Sequence, residues 1–138
     1  MEADPDIDLV TEHPGEPPDQ DTLARKFQKE LNAGLVALVL LAILDRASED
    51  LYGYQIAKQL QLSPRAPTVK QGALYPVLRT LSAQGLLDSR VVPSVAGPPR
   101  RYYRITASGR ETLAKWGGIW RDTRDFVDNF TESQGVMS

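Results

Sequence analysis

Twelve consecutive small or apolar residues, Ala33 to Leu44 (AGLVALVLLAIL), constrain this chain more than any other feature. A helix that is apolar on every side has to be buried on every side. Spanning a bilayer takes about 20 residues, so the run predicts a core helix and no membrane span. Phe27, Leu31, Leu35 and Leu38 extend one apolar face upstream, and Asp21 or Thr22 can cap it, which gives a helix over residues 21–46. In a chain of 138 residues, one face of this helix belongs on its own core and another on a second subunit.

The net charge of -2 hides a segregation. Residues 1–21 hold eight acids and no Lys or Arg, so residues 22–138 carry 16 basic side chains against 10 acidic ones, a net of +6. Residues 58–115 hold ten basic residues against two acids (Asp88 and Glu111), a net of +8. Such asymmetry points to a polyanionic partner for the middle of the chain. Residues 1–20, rich in Pro, Asp and Glu, bury too little surface to offset the entropy of ordering and read as a disordered acidic tail. The absence of cysteine excludes disulfides, thiolate zinc sites and cysteine nucleophiles. No basic and apolar leader pattern is visible, so the expected location is the cytoplasm.

After a polar break at residues 48–50, Tyr52-Gly53-Tyr54 leads into a short helix, Gln55–Leu60, with Tyr54, Ile56, Ala57 and Leu60 partly inward. Two prolines make residues 63–67 a loop. A third helix runs from about Val69 to Gln84, with Leu74, Val77, Leu78 and Leu81 on its apolar face and Gly85 placed for a left-handed cap. Pro76 interrupts its hydrogen bonding beyond the first turn. Leu86–Val92 and Arg100–Ile105 read as strands joined by a turn region over residues 93–99. Thr106 then caps a last helix that reaches about Phe130. The fold expected is mainly α with a small β-hairpin: a winged helix-turn-helix over residues 21–106, a dimerisation helix over 107–130 and a frayed end over 131–138.

The third helix occupies the recognition position of such a fold. Gln71, Tyr75 and Arg79 lie four residues apart on one ridge, with Lys70 just before them. Arg and Gln can bond base edges in a major groove, and Lys or Tyr can hold phosphates. A polar helix face can equally be plain solvated surface. The hairpin adds Arg100 and Arg101, expected at its tip, with Arg90 and Arg104 on the strands; a basic wing suits phosphates or a minor groove. Strand arginines can also simply protect an edge from aggregation.

In the last helix Leu113, Trp116, Trp120, Thr123, Val127 and Phe130 are spaced 3, 4, 3, 4 and 3 apart, a short heptad seam. It is expected to pack on a second copy of the chain, giving a homodimer whose symmetry matches a palindromic double-stranded DNA site. Trp116 and Trp120, one turn apart, are either interface packing or the walls of a cleft for a flat ligand. Gly117-Gly118 between them weakens the helix by about 1 kcal/mol per glycine relative to alanine.

Four stretches taken together resemble the PadR family of bacterial regulators. They are Leu51-Tyr52-Gly53-Tyr54-Gln55-Ile56, Gly72-Ala73-Leu74-Tyr75-Pro76-Val77-Leu78-Arg79-Thr80-Leu81, Gln84-Gly85-Leu86-Leu87, and Arg100-Arg101-Tyr102-Tyr103-Arg104-Ile105-Thr106-Ala107-Ser108-Gly109. The resemblance covers about residues 27–115. It implies a homodimer built by the first and last helices, repression at a palindromic operator, and release by phenolic or drug-like molecules. It also implies a proline within the recognition helix, at Pro76. The single C-terminal helix resembles the short subgroup, with Trp120 matching the aromatic ligand-cleft position and Trp116 its neighbour. The acidic N-terminal extension departs from the pattern.

Catalysis finds no support. The one histidine, His13, lies in the acidic tail, and metal-ligand spacing, cofactor motifs and nucleophile elbows are absent from the sequence. The competing reading is a winged-helix protein-interaction module without specific DNA binding; the basic excess in the middle of the chain argues against it.

Overall fold

The computed structural model describes residues 15–17, 19–62 and 71–132, and of Leu62 and Gln71 the backbone only. The element order is α1 (Gln20–Arg46), β1 (Leu51–Tyr52), α2 (Gly53–Leu62), α3 (Gln71–Ala83), β2 (Leu87–Ser94), β3 (Gly97–Ile105) and α4 (Ala107–Thr131). Most of the expected acidic tail, the loop over residues 63–67 and the end beyond residue 132 lie outside the described residues.

The 27 residues of α1 span about 40 Å. Its cap is Asp19, not Asp21 or Thr22: the Asp19 carboxylate accepts a bond of 2.7 Å from the Thr22 backbone N–H. That bond holds the Asp19 pKa below the usual carboxylate value. The apolar run is not buried uniformly. Leu40, Leu41 and Leu44 are sealed in the core, whereas Leu35 to Val39 are half-buried and residues 20–31 are exposed. By length and composition α1 would pass for a membrane span, yet its most apolar turns form the centre of the core. Gln28 donates a bond of 2.7 Å to the buried Asn32 from the preceding turn.

The core gathers Leu40, Leu41 and Leu44 of α1, Ile56, Ala57 and Leu60 of α2, Leu74, Leu78 and Leu81 of α3, and Leu86, Leu87, Tyr103 and Ile105. Tyr54, expected to point partly inward, is instead 51% exposed. The period of α3 places its three leucines inside, and the helix ends as its sequence dictates. Gly85 takes φ +78; its N–H bonds to Ser82 and the Leu86 N–H to Leu81, both at 3.0 Å. This pair of bonds is a Schellman cap, sealed by the apolar contact expected between its flanking leucines. Pro76 does sit within the helix.

The sheet has three strands rather than the two of the expected hairpin, in the order β1-β3-β2, all antiparallel. Leu51 and Tyr52 pair with Tyr103 and Tyr102, so the chain between α1 and α2 closes the free edge of β3. The turn is also tighter than expected. Ser94 pairs with Gly97, leaving Val95-Ala96 at the tip, and the strands run on through Pro93, Pro98 and Pro99 with a bulge beside Pro93. Prolines in strands are tolerated at such irregularities, where no ladder bond is lost.

Thr106 joins three elements. Its hydroxyl accepts from the Gly109 N–H (2.9 Å), capping α4, and donates to the Gly85 carbonyl (2.8 Å) at the end of α3; its own N–H bonds to the Leu86 carbonyl (3.1 Å). Gly109 is buried, and a side chain there would collide with the Leu86 carbonyl oxygen and Ile105. Beyond this joint the expected seam divides. Leu113 and Trp116 pack on the chain's own core, Trp120 is half-buried, and Val127 and Phe130 are exposed. The first half of α4 therefore closes this chain's own fold, a role the sequence reading assigned to a partner. The second half stands free of it.

Candidate nucleic-acid interface

The outer side of α3 carries Tyr75 and Arg79, one turn apart and both exposed. Gly72 is exposed beside them. Lys70 lies outside the described residues, and Gln71 is the first residue of α3, placed by its backbone alone. The Tyr75 ring lies over Gly53 at the start of α2, a position only glycine leaves open.

Arg100 and Arg101 are not at the tip of the wing. They sit within β3, paired in register with Val92 and Val91, which draws them back toward α3. Tyr75, Arg79, Arg100 and Arg101 thereby line one cleft of about 410 Å³, walled by Tyr52, Tyr54 and Tyr103. The four residues stand on separate elements of the sequence pattern, which gives no sign of the tyrosine walls. Tyr52 and Tyr103 reach the cleft because β1 pairs with β3, and a strand of two residues has no periodicity to read.

The arginines fall into two groups. Arg90 bonds Asp50 (3.1 Å) and Arg104 lies 3.9 Å from Asp88. Each of these two strand arginines thus has an acidic neighbour. Among the described residues, Arg79, Arg100 and Arg101 have no carboxylate within ion-pair distance. Arg101 donates to the Ser89 hydroxyl at 3.1 Å. Arg100 lies 4.5 Å over the Tyr52 ring, which meets Tyr102 edge-on at 5.3 Å, and Arg90 covers Tyr102 at 5.1 Å. Tyr54 stacks beyond Tyr52, with Lys58 above it at 5.7 Å. Cation–π contacts of this kind contribute roughly 0.5–1 kcal/mol at exposed sites, and the one over Tyr52 holds the Arg100 guanidinium in place while leaving its N–H edge open. Burial raises the pKa of the Tyr103 phenol above its usual value, with the nearby Arg101 guanidinium opposing the shift. The arrangement presents three unneutralised cations and several hydroxyls on a concave surface, which is what a phosphate backbone requires.

A second concavity, about 460 Å³, lies between α1 and α4. Trp116, Trp120 and Ile119 face Leu31, Leu35 and Leu38 across it, with Glu30 and Thr123 as its polar groups. The two tryptophans thus share one apolar groove. Its continuation along the helices is exposed: Phe27 is 64% exposed, Phe126 63% and Phe130 70%. Phe126, absent from the heptad reading, meets Phe130 edge-on at 5.0 Å.

A family model described as the PadR-like family of transcriptional regulators matches residues 40–115. This chain belongs to that family. The PadR-like match runs from the buried end of α1 through α3 and the sheet into the start of α4, and so contains the whole arginine cleft. Trp116, Trp120 and the acidic segment fall outside it. A transcriptional regulator of Mycobacterium tuberculosis is 37% identical over 94 residues, covering 66% of this chain and 77% of that protein. Among solved structures, a PadR family regulator from Eggerthella lenta is 31% identical with a TM-score of 0.71, covering 81% of this chain and 95% of that one. A PadR-like regulator from Bacillus cereus is 28% identical with a TM-score of 0.60, covering 73% and 95% respectively. The PadR-like chain is accordingly a transcriptional regulator and not an enzyme, with the helices and small antiparallel sheet of a winged helix.

Proposed function

We propose that this chain is a sequence-specific repressor that binds a palindromic DNA operator as a homodimer in the cytoplasm. Residues 21–106 form the DNA-binding unit, with α3 entering the major groove. Gln71 and Arg79 read base edges there, and Lys70, Tyr75, Arg100 and Arg101 hold the backbone. Within residues 107–130 the exposed second half carries the dimer contact, and a flat aromatic or drug-like effector between Trp116 and Trp120 releases the DNA. The observation that carries this reading is the convergence of Arg79 from α3 with Arg100 and Arg101 from β3 in one cleft, all three without a carboxylate partner among the described residues. The apolar groove beside the exposed ends of α1 and α4 supports the dimer and effector parts.

The deciding experiment is a gel shift with DNA from upstream of the protein's own gene, in excess nonspecific competitor at about 150 mM salt. A discrete complex that resists competitor establishes specific recognition. Binding only at low salt without competitor places the operator elsewhere, and no binding under either condition overturns the reading in favour of a protein-interaction module.

A further inference from the structure

The acid-base segregation of the sequence acquires a target in the fold. Residues 1–18 hold six acids (Glu2, Asp4, Asp6, Asp8, Glu12 and Glu16) and no Lys or Arg. They precede a helix whose cap, Asp19, is already engaged with Thr22. The acids closest to the sheet arginines are engaged too, Asp50 by Arg90 and Asp88 by Arg104. The cleft arginines Arg79, Arg100 and Arg101 are left facing outward together, and the chain's own acid-rich segment is the complementary charge.

We propose that residues 1–18 dock on the arginine cleft between α3 and β3 and compete with DNA for it. The competition rests on the DNA-binding reading of that cleft; the docking does not. Eighteen residues reach as far as roughly 60 Å when extended, which exceeds the length of about 40 Å of α1, so the segment spans from the start of α1 to any point alongside it. A short tether keeps such a segment at an effective concentration of order millimolar, so weak charge pairing suffices to occupy the cleft. Specific DNA outcompetes it through base contacts that an acidic segment does not offer, whereas nonspecific DNA, held by phosphates alone, is displaced. The device sharpens discrimination between operator and bulk DNA.

Two measurements on the full chain test this. The first compares nonspecific DNA affinity of the native chain with a variant carrying Glu2→Gln, Asp4→Asn, Asp6→Asn, Asp8→Asn, Glu12→Gln and Glu16→Gln. The variant is expected to bind about three- to tenfold more tightly near 50 mM salt, the gap closing by about 200 mM. Equal affinities at low salt overturn the competition. The second titrates a fluorescein-labelled peptide of residues 1–18 onto the same variant without DNA and follows anisotropy. Binding at low salt that is lost on adding Arg79→Ala and Arg100→Ala supports docking. No binding, or binding that survives both substitutions, overturns it and reduces any gain in the first measurement to simple repulsion between acids and DNA. Peptide binding by a chain that never binds DNA would keep the docking and remove the DNA reading.

Discussion

The Tyr75 ring occupies the space that a side chain on Gly53 would need: a Cβ there would stand 2.5 Å from Cε1 and 2.8 Å from the hydroxyl oxygen of Tyr75. The Tyr-Gly-Tyr and Leu-Tyr-Pro stretches, 22 residues apart in sequence, are one contact in space. Gly53→Ala should therefore push the exposed Tyr75 ring off its present rotamer and out of the arginine cleft, at a cost to the fold of about 0.5–1.5 kcal/mol. Adding Tyr75→Ala should recover most of the loss. Thermal unfolding of the two single variants and the double variant measures the coupling; additive losses would mean that the two residues do not meet.

Arg79 and Arg100 should differ in what their loss does to DNA binding. Arg79→Ala is expected to weaken operator binding by about 1–3 kcal/mol and relax preference at one base position. Arg100→Ala should weaken all sequences alike and lower the salt slope by about 1. Affinity measured across a salt series, on operator and on scrambled DNA, separates the two. Unchanged binding after both substitutions would remove the cleft from the interface.

What the sequence could and could not reveal follows from the range of each signal. The Gly85 cap, the Thr106 cap and the leucine face of α3 are local, written within a few residues, and all are present as read. The pairing of Leu51-Tyr52 with β3 depends on residues some 50 positions away and leaves no period behind. Pro98 and Pro99 suggest a turn because proline usually excludes a ladder; the bulge near Pro93 lets the strand continue through them, so Arg100 and Arg101 lie away from the tip, toward α3. Phe126 escaped the heptad seam because it lies outside that spacing. The arginines and tyrosines of the cleft were legible as residues, and their convergence was not.

The free ends of α1 and α4 should govern assembly. Phe126 and Phe130 are exposed in the single chain, so replacing both by Asp should leave its fold within about 0.5 kcal/mol of the native stability. Association of two chains should weaken at least tenfold, about 1.4 kcal/mol. Sedimentation velocity over a concentration series, with circular dichroism for helix content, checks both halves. A variant that still dimerises at native concentrations would place the interface elsewhere.

The groove between α1 and α4 should report its ligand optically. Titration with a planar aromatic dye is expected to quench the tryptophan emission, because the two indoles line the same cavity. Trp120→Ala should reduce the dye affinity at least tenfold, about 1.4 kcal/mol, while leaving binding of operator DNA intact. An unchanged dye affinity would assign the tryptophans to packing alone.

Tyr103 gives the fold an alkaline limit. It is only 3% exposed, and burial raises its phenol pKa above 10.0, with Arg101 opposing, Tyr75 adding and Arg79 opposing. The folded chain holds this proton to higher pH than the unfolded chain does. Its contribution is complete below about pH 10 and is lost as pH rises through the folded value. Melting temperatures from pH 9 to 12 should fall more steeply for the native chain than for Tyr103→Phe, and parallel curves would contradict this.

The joint at Thr106 has a mechanical meaning. A single residue separates β3 from α4, and that one residue is bonded to the glycine that caps α3 on one side and to the first turn of α4 on the other. There is no slack segment to absorb a rotation. The long helix behaves as the handle of a crank whose other arm is the wing, and any force that tilts the handle must also turn the surface that carries Arg79, Arg100 and Arg101.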